Sequence, residues 1–404
     1  MLDFLSKDKC SGCTACVSVC PKSCIDMVND TDGFMYPEKI NENCINCGLC
    51  KKVCPIIHNP IITQENPIAG ALRTKSDEVW ERSSSGGAFY ELSRIFLEKY
   101  HGNAIIYAAM FDGTRLVHDS FTQISEILPF QKSKYLQSDI RGKFNSIKKD
   151  IRSGKYVLFV GTPCQVAGLR NFLGEKSEKL LCVDFVCHGV GSPGVFHAFL
   201  KSLEEKNKKI IDRYEFRAKK GIFGNYERYC SKTVFKDGSV KYTDKDSYAS
   251  IFLKQLCTRR VCNGDCPFRS IARQGDISLA DFNGKSIVFP DLCDEKNYSA
   301  IVFNTAKGKA FKTLLESNTK YYSCDIEQIK HFNPLIYQNA PGNPKRDEFM
   351  KMYSQGVGYE SLVSFAQLRK TRLSDILMKY IPWKLKFMIF RIYKAKKLIR
   401  NNSQ

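Results

Sequence analysis

The sequence predicts an α+β protein in three parts: a small cysteine-rich N-terminal domain, a larger mixed α/β domain and a basic C-terminal helix. Nine of the 18 cysteines lie in residues 10–54. From residue 69 onward, short apolar runs alternate with helical patterns. Residues 369–400 hold eleven Lys or Arg against one Asp, which accounts for half of the formal charge of +20. A chain of 404 residues is long enough for more than one core.

The start of the chain, MLDFLSKDKC, lacks the basic segment and apolar run of a signal peptide. No apolar stretch approaches the length needed to span a bilayer. We therefore expect a cytoplasmic protein. In a reducing compartment, clustered thiols are more often metal ligands or redox groups than disulfides.

Two cysteine runs in the N-terminal domain share the spacing C-x2-C-x2-C-x3-C-P. Three thiolates at this spacing surround one 4Fe-4S cluster, and the fourth points to the neighbouring cluster. The predicted ligands of the two clusters are Cys10, Cys13, Cys16 and Cys54, and Cys44, Cys47, Cys50 and Cys20. Structural zinc is the alternative, but its ligands usually form separated pairs. The sequence thus predicts a bacterial-type dicluster ferredoxin domain over residues 1–58, with Cys24 as a core residue.

The remaining boundaries follow from turn residues and apolar patterns. Alternating apolar positions around Asp30 to Gly33 predict a hairpin between the two cysteine runs. Prolines predict a linker over residues 59–68, followed by a larger domain over 69–345 and a helical tail over 346–404. The predicted strands of the larger domain are AIIYAAMF, YVLFVG, LLCVDFV, DISLADF and AIVFNT, with a hairpin in TVFKDGSVKY.

Three stretches of the larger domain indicate chemistry. Ser83 to Gly87 precede a predicted helix, so hydroxyls and free N–H groups could bind phosphate or the polar edge of a flavin, with a plain helix cap as an equal alternative. Cys164 lies at a predicted helix N-terminus, which lowers a thiol pKa, although a buried inert cysteine is the alternative. Cys257, Cys262 and Cys266 indicate another metal site, completed by Cys164 or Cys187, for which zinc is a serious alternative.

Four motifs in this order behind a ferredoxin domain carry a family resemblance: SSSGGAF, GTPCQVAGLRNFL, CHGVGSP and CPFRS...GDISLADFNG. The chain resembles the beta subunit of coenzyme F420-reducing hydrogenase and dehydrogenase over roughly residues 5 to 340. The resemblance implies FAD and a further 4Fe-4S cluster in the larger domain. It also implies electron transfer between the clusters, the flavin and a second redox partner.

The resemblance also implies site residues. The expected ligands of a third 4Fe-4S cluster are Cys164, Cys187, Cys262 and Cys266, with Cys257 as the substitute. The expected residues of the flavin site are Ser84, Ser85, Gly86, Gly87, Gly275, Asp276 and Asp281. The six histidines are scattered, so the sequence identifies no catalytic acid or base.

The basic tail carries apolar positions on an imperfect helical stripe between residues 381 and 399. Basic residues near an anionic leaflet contribute on the order of 1 kcal/mol each, which predicts peripheral contact with the inner membrane. A terminal helix docked on the protein's own core is an equal alternative. Nucleic acid is not an expected partner, because no recognition module accompanies the charge.

These observations predict an iron-sulfur flavoprotein oxidoreductase. Reduced ferredoxin or another redox partner protein would supply the electrons, and the substrate would be a small molecule or a deazaflavin. Relatives with this layout also occur beside bacterial polysaccharide-synthesis enzymes, so the resemblance implies a role there as one use. The alternatives are a non-catalytic electron carrier or scaffold for a partner enzyme, and a zinc-stabilised binding protein. No Ser/His/Asp or paired-carboxylate arrangement indicates hydrolysis.

Overall fold

The computed structural model describes residues 2–60, 66–174, 177–220, 226–227, 230–244, 246–270, 272–290, 292 and 296–368. The predicted basic tail after residue 368 and residues 61–65 of the predicted linker lie outside the described residues. No helix in the described part of the chain is both long enough and apolar enough to cross a membrane.

The N-terminal domain has two short helices and one hairpin. Helix α1 spans Ala15–Val19 and helix α2 spans Leu49–Lys52. Strands β1 (Ile25–Asn29) and β2 (Met35–Lys39) pair antiparallel between them. Gly33 lies in the turn with a φ of +72°, a conformation that glycine adopts without strain. The predicted hairpin is confirmed.

The larger domain is built on one mixed sheet. Its strands and those of the smaller sheets are, in chain order, β3 (Ile68–Arg73), β4 (Ala104–Asp112), β5 (Arg115–Phe121), β6 (Tyr156–Val160), β7 (Leu180–Phe185), β8 (Ile211–Glu215), β9 (Lys219–Lys220), β10 (Tyr226–Glu227), β11 (Cys230–Phe235), β12 (Val240–Asp244), β13 (Ile277–Asp281), β14 (Ser299–Phe303) and β15 (Lys320–Cys324). The order across the large sheet is β15-β3-β14-β13-β7-β6-β4-β5. Strands β4, β6, β7 and β13 run parallel to one another, and the outer strands pair antiparallel.

Helices cover and connect the sheet. They are α3 (Asp77–Glu81), α4 (Ala88–Lys99), α5 (Lys143–Arg152), α6 (Pro163–Leu173), α7 (Pro193–Asn207), α8 (Ser247–Leu253), α9 (Lys285–Val288), α10 (Ala306–Lys309), α11 (Lys312–Asn318), α12 (Ile326–Phe332), α13 (Arg346–Ser354) and α14 (Tyr359–Phe365). Short 3-10 turns lie at Ile124–Glu126, Leu128–Phe130, Arg260–Cys262 and Pro334–Ile336.

The prediction of a small N-terminal domain followed by a larger mixed α/β domain is confirmed, with one large mixed sheet in the larger domain. All five predicted strands belong to the large sheet, and the predicted hairpin is formed by β11 and β12. Strands β3, β5 and β15 were not predicted. They lie in the outer parts of the sheet, and their sequences, IAGALR, RLVHDSF and KYYSC, contain glycine or charged residues that weaken a local strand pattern.

The N-terminal domain packs directly on the larger domain. Phe34 and Tyr36 of the hairpin belong to the apolar core around Phe196 of α7. Ala15 of α1 belongs to a second core that includes Phe144 of α5. Because the two parts share both cores, the positions of the N-terminal thiols are fixed relative to the large sheet.

The carboxyl ends of the parallel strands meet at one edge of the sheet. The chain leaves β6 towards Cys164, leaves β7 towards Cys187 and reaches Asp281 at the end of β13. In open α/β sheets this edge forms the ligand-binding crevice. Helix α6 begins there with a capping box at Thr162 and a proline in its first turn, so Cys164 is held at a defined helix start.

A buried ion pair stabilises the sheet behind this edge. Asp184 of β7 is fully buried and accepts a hydrogen bond from Arg273 Nη2 at 2.9 Å. The same carboxylate accepts the backbone N–H groups of Gln274 and Gly275 at 3.1 and 3.0 Å. Removing one partner of such a pair leaves a buried charge without compensation.

We expect Asp184→Asn to lower the free energy of unfolding by about 3–5 kcal/mol, because the guanidinium of Arg273 loses its counter-charge. The measurement is anaerobic denaturant unfolding. The control is Asp119→Asn, whose side chain is half exposed and pairs with Lys143 at 2.7 Å, and which should cost no more than about 1 kcal/mol. Equal effects of the two substitutions would contradict a stabilising role for the buried pair.

Candidate functional site

The structure gathers four thiols of the N-terminal domain around one small cavity. We call them the first set: Cys10, Cys13, Cys16 and Cys54. Burial raises the pKa of Cys13 to about 12, and the nearby thiols of Cys10 and Cys54 add to the rise. The last cysteine of the second run thus lies with the first three of the first run, which is the crossed arrangement that a dicluster domain needs.

The other four cysteines of the two runs form the second set: Cys20, Cys44, Cys47 and Cys50. Burial raises the pKa of Cys50, and the thiols of Cys47 and Cys20 contribute to the rise. Cys24 lies beside this set, with its sulfur 3.3 Å from the sulfur of Cys20. It is buried, as the sequence predicts for a core residue, but it packs against a predicted ligand.

The larger domain brings together a third group of four thiols, which we call the inner set: Cys164, Cys187, Cys262 and Cys266. All four line one enclosed cavity at the carboxyl edge of the large sheet. The substitute ligand, Cys257, does not line this cavity. It is fully buried in the core around Phe196, and its carbonyl accepts the N–H of Ser192 at 2.8 Å.

Burial controls the protonation of the inner thiols. It raises the pKa of Cys164 well above the ordinary value and raises that of Cys262 to about 12. The expectation of a lowered pKa at Cys164 is wrong for the free thiol, because loss of solvation outweighs the position at a helix N-terminus. Metal binding at these thiols must therefore release protons.

Two arginines line the inner cavity, and one of them, Arg273, is paired with the buried Asp184. Arg269 donates from Nε to the carbonyl of Cys187 at 3.1 Å and from Nη1 to the carbonyl of Cys262 at 3.2 Å. Its Nη2 is buried and has no hydrogen-bond partner among the described residues. Arg273 also lines the cavity. Four thiols beside an unsatisfied cationic donor fit an anionic iron-sulfur cluster.

The thiol groups are not arranged like the shell of a single ion. Among the described residues, no group of three or more His, Cys, Asp or Glu side chains is placed to hold one metal ion.

Helix α6 contacts the first set through Gly168 and carries Cys164 of the inner set. An added Cβ at Gly168 of α6 would lie 2.9 Å from the sulfur of Cys13. Cys164 stands four residues earlier, so the two positions share one face of α6. The sequence motif containing Cys164 thus places one helix against both thiol sets.

A cleft of about 350 Å³ opens beside the inner cavity at the carboxyl edge of the sheet. Its walls come from the ends of the parallel strands, including Ala109 of β4, Val160 of β6 and Leu279 of β13. The volume lies in the range of small-molecule sites. Thr162 and Cys187 line both the cleft and the inner cavity.

The Ser-Gly segment lies at the cleft, and its hydroxyls form hydrogen bonds within the chain. Ser84, Ser85 and Gly87 line the cleft. The Ser84 hydroxyl accepts the N–H of Ser133 at 2.6 Å, and the Ser85 hydroxyl donates to the carbonyl of Tyr298 at 2.8 Å. Ser85 uses its O–H as a donor, whereas Ser84, among the described residues, acts only as an acceptor and keeps its O–H. The segment therefore offers a ligand the Ser84 hydroxyl and the first-turn N–H groups of α4.

The two glycines of that segment have different roles. Gly87 begins α4 with a φ of +94°. Gly86 packs against β3 and β14, where an added Cβ would lie 2.2 Å from the carbonyl oxygen of Leu72. Gly86 does not line the cleft. Because it has no side chain, the Ser-Gly segment can pack closely against β3 and β14.

Gly275 and Asp276 lie away from the cleft, at the opposite end of β13 from Asp281. The Asp276 carboxylate accepts hydrogen bonds from Arg170 Nη2 at 3.0 Å and from the N–H of Cys182 at 2.8 Å. A five-residue strand separates Asp276 from Asp281 by roughly 16 Å, because a strand rises about 3.3 Å per residue. Only Asp281 of these three residues lines the cleft.

Among the described residues, Lys132, Lys134 and Arg217 line the cleft together with the carboxylate of Asp281. Arg217 lines it and pairs with Asp281 at 2.9 Å. Lys134 Nζ donates to three neutral carbonyl oxygens, those of Phe130, Gln131 and Lys132, at 2.8 to 3.0 Å. Loss of solvation lowers the pKa of Lys134 to about 7. The cleft therefore favours an anionic ligand.

His118 of β5 is a buried cleft residue that sequence reasoning missed. Its Nε2 lies 3.2 Å from the carbonyl oxygen of Val160, so this nitrogen carries the proton of the neutral ring. Burial lowers the pKa of His118 to about 4. Its Nδ1 is buried and has no hydrogen-bond partner among the described residues, which leaves one acceptor for a ligand.

The three cavities form a series in which neighbouring cavities share lining residues. Ser11 lines both the cavity of the first set and the inner cavity. Cys187 lines both the inner cavity and the cleft. The second set lies at the outer end of the series, where Cys47 is exposed.

The two cysteine runs and the mixed-sheet domain together define an iron-sulfur electron-transfer protein. Residues 9–56 match the family of 4Fe-4S dicluster domains. Residues 154–329 match the family that describes the C terminus of the beta subunit in coenzyme F420 hydrogenase/dehydrogenase. The resemblance found in the motifs is thus confirmed for these two segments.

Similar proteins include oxidoreductases. The chain is 26% identical over 348 residues to the coenzyme F420-dependent sulfite reductase of Methanocaldococcus jannaschii, over 73% of this chain and 50% of that protein. A segment of 53 residues, 13% of this chain, is 40% identical to pyruvate synthase subunit PorD of Methanothermobacter marburgensis and covers 56% of that protein. The chain thus spans about half the length of these curated relatives.

One solved structure is also similar. The F420-reducing [NiFe] hydrogenase complex from Methanosarcina barkeri, in a xenon derivatization study, contains a chain that aligns with 76% of this chain and 93% of its own length. The TM-score is 0.41 and the sequence identity is 14%, a likeness too weak to add to the fold assignment.

Proposed function

We propose that this protein is an iron-sulfur flavoprotein oxidoreductase. In this proposal a redox partner protein such as reduced ferredoxin supplies electrons to the N-terminal thiol sites, and a third 4Fe-4S cluster at the inner set connects those sites to FAD in the cleft. The observation that carries the proposal is the series of cavities, in which Ser11 and then Cys187 are shared by neighbouring sites.

The inner set supplies thiolates for the third cluster. Arg269 supports it by holding the carbonyls of Cys187 and Cys262 while its buried Nη2 remains available to a sulfur atom. Hydrogen bonds and positive charge beside an iron-sulfur cluster set its reduction potential. The chain therefore fits the group in ligand type and in charge.

The cleft supplies the groups that an anionic dinucleotide needs. Arg217 and Lys134 offer positive charge, and the start of α4 offers backbone N–H groups. His118 Nδ1 offers one acceptor and stays unprotonated near neutral pH because of its burial. When bound, FAD supplies both one-electron and two-electron chemistry.

In this proposal the redox partner binds at the second set, the exposed end of the series of cavities. Cys47 of the second set is exposed, and the nearby Ile45 is 58% exposed. The inner set is enclosed between this domain and the sheet. In the proposal the two-electron substrate is a small molecule or a deazaflavin, and a role in polysaccharide synthesis rests on the resemblance alone.

Cys262→Ser tests the inner cluster. We expect this variant to lose one third of its iron and acid-labile sulfide, because one of three four-iron clusters loses a ligand. Cys257→Ser is the matched control, since Cys257 is a nearby buried cysteine outside the inner cavity, and it should keep the full iron content. The measurement is iron, sulfide and flavin analysis after anaerobic purification.

The same analysis separates the proposal from its alternatives. FAD close to one per chain in the unaltered protein supports the oxidoreductase. Clusters without flavin would contradict it and favour an electron carrier or scaffold. Zinc without acid-labile sulfide would indicate a zinc-stabilised protein instead.

Lys134→Met tests the flavin site. We expect it to weaken FAD binding by roughly ten- to a hundredfold, because the anionic ligand loses a nearby positive charge, and two unit charges about 4 Å apart near a protein surface interact by up to about 4 kcal/mol. An anion beside Lys134 raises a pKa that is about 7 in the free protein, so binding takes up a proton. FAD affinity of the unaltered protein should therefore fall as pH rises above about 7, by up to about tenfold per pH unit.

The measurement is a titration of FAD into deflavinated protein between pH 6 and 9. The control is Lys143→Met, because Lys143 pairs with Asp119 and does not line the cleft. FAD affinity that is equal in the Lys134 and Lys143 variants, with the same pH dependence, would contradict the assigned role.

A further inference from the structure

Arg259 is the charged residue that joins the inner set to the first set. It lies in the segment before the 3-10 turn Arg260–Cys262, and its side chain is fully buried. Its backbone is tied to the inner set: its N–H donates to the carbonyl of Val190 at 2.9 Å, and its carbonyl accepts the N–H of Cys262 at 2.9 Å. The side chain extends from this point into the N-terminal domain.

The guanidinium of Arg259 reaches a predicted cluster ligand. Its Nε donates to the carbonyl of Cys10 at 2.7 Å, and its Nη2 lies 3.7 Å from the sulfur of the same residue. Its Nη1 donates to the carbonyl of Met35 at 3.0 Å and to Gln137 Oε1 at 2.7 Å. The N–H groups of the guanidinium are thus directed to the first cysteine run, to the hairpin that follows it and to the Gln137 amide.

The guanidinium is also held in position by packing. Its central carbon lies 3.9 Å from the centre of the Tyr36 ring, a close cation–π contact. Gly12, between Cys10 and Cys13, permits this approach, because an added Cβ there would lie 3.0 Å from the guanidinium carbon. Gly12 has a φ of +70°, so a larger residue would be strained as well.

In the part of the chain that the structure describes, no carboxylate forms a hydrogen bond with Arg259. Its hydrogen bonds to the described residues go to carbonyl oxygens, one amide oxygen and one sulfur atom. An arginine remains protonated in proteins, so the buried positive charge is permanent. Such a charge stabilises negative charge nearby, and most strongly where water is excluded.

We propose that Arg259 is a positioning residue that raises the reduction potential of the cluster held by the first set and thereby favours electron transfer from the second-set cluster into this cluster, which lies beside the inner set. One electron enters the cluster and one leaves it, while no bond or proton changes, because the guanidinium keeps its proton. This inference depends on the N-terminal clusters and does not require FAD in the cleft.

Arg259→Gln tests the inference through the potential. We expect the midpoint potential of the first-set cluster to become more negative, because the reduced and more anionic form loses a hydrogen-bonded charge. At a fixed solution potential, the ratio of reduced to oxidised first-set cluster should fall by about tenfold, which corresponds to about 1.4 kcal/mol of contact energy lost by the reduced form relative to the oxidised form. Anaerobic redox titration followed by electron paramagnetic resonance measures this ratio.

Two further variants assign the electron paramagnetic resonance signals to the individual clusters. Cys13→Ser changes a ligand of the first set, and Cys47→Ser changes a ligand of the second set, so each identifies one cluster in the spectrum. The second-set cluster serves as an internal reference, because Arg259 contacts Cys10 and has no hydrogen bond to a cysteine of the second set among the described residues.

Arg260→Gln is the matched control for charge. Arg260 is the next residue and its side chain is 38% exposed, where it contacts Asp8 at 3.2 Å and Asp347 at 3.4 Å. We expect no shift of the first-set potential in this variant, because solvent screens an exposed charge. Arg259→Lys keeps the charge and should recover most of the potential.

If the Arg259→Gln variant does not incorporate its clusters, the Gln137→Glu variant tests the same effect of Arg259 on the reduction potential. This change places a carboxylate against Arg259 Nη1 with almost no change of shape, so it compensates the charge while leaving the guanidinium in place. It should also move the first-set potential to a more negative value. An unchanged first-set potential in the variants that retain their clusters, or an equal shift in Arg260→Gln, would overturn the proposal.

Discussion

The close packing of helix α6 against the first cysteine run is the constraint on which the rest of the site depends. Gly168 lets the helix approach the sulfur of Cys13, and Cys164 lies one turn earlier on the same face. A side chain at Gly168 would force the helix and the cysteine run apart. Because the helix is rigid, the first and inner thiol sets have one relative position rather than a range of positions.

The same constraint explains why the N-terminal domain shares its apolar cores with the sheet domain. A ferredoxin domain on a mobile linker would meet its electron acceptor in many orientations. Here Phe34 and Tyr36 enter a core of the larger domain, and Arg259 extends in the opposite direction into the cysteine run. The contacts that stabilise the interface are thus also the contacts that fix the relative positions of the first and inner thiol sets.

The thiol sites could be predicted from sequence because ligand spacing is a local property. A C-x2-C-x2-C run forms one side of a cluster site wherever it is placed. The inner set is less local, since its members lie on α6, after β7 and in the loop around Cys262. Its prediction needed the family resemblance, and the structure gathers the four thiols around one cavity.

The cleft was harder to predict because its residues meet only through the order of the strands. His118 and Lys134 carry no motif, and they face the cleft because β5 and the segment after it lie beside β4. Gly275 and Asp276 are close to Asp281 in sequence, but strand β13 takes them to the other edge of the sheet. Distance along an extended strand is therefore the physical reason that part of the expected flavin site lies elsewhere.

The most direct test of the account is whether electrons given to the N-terminal clusters reach the cleft through the inner set. Anaerobic stopped-flow absorbance would follow cluster and flavin reduction after mixing with a reduced ferredoxin-type carrier. The account predicts that the clusters are reduced first and the flavin next, and that Cys262→Ser retains the first phase but loses the second. Flavin reduction at the same rate in that variant would contradict it.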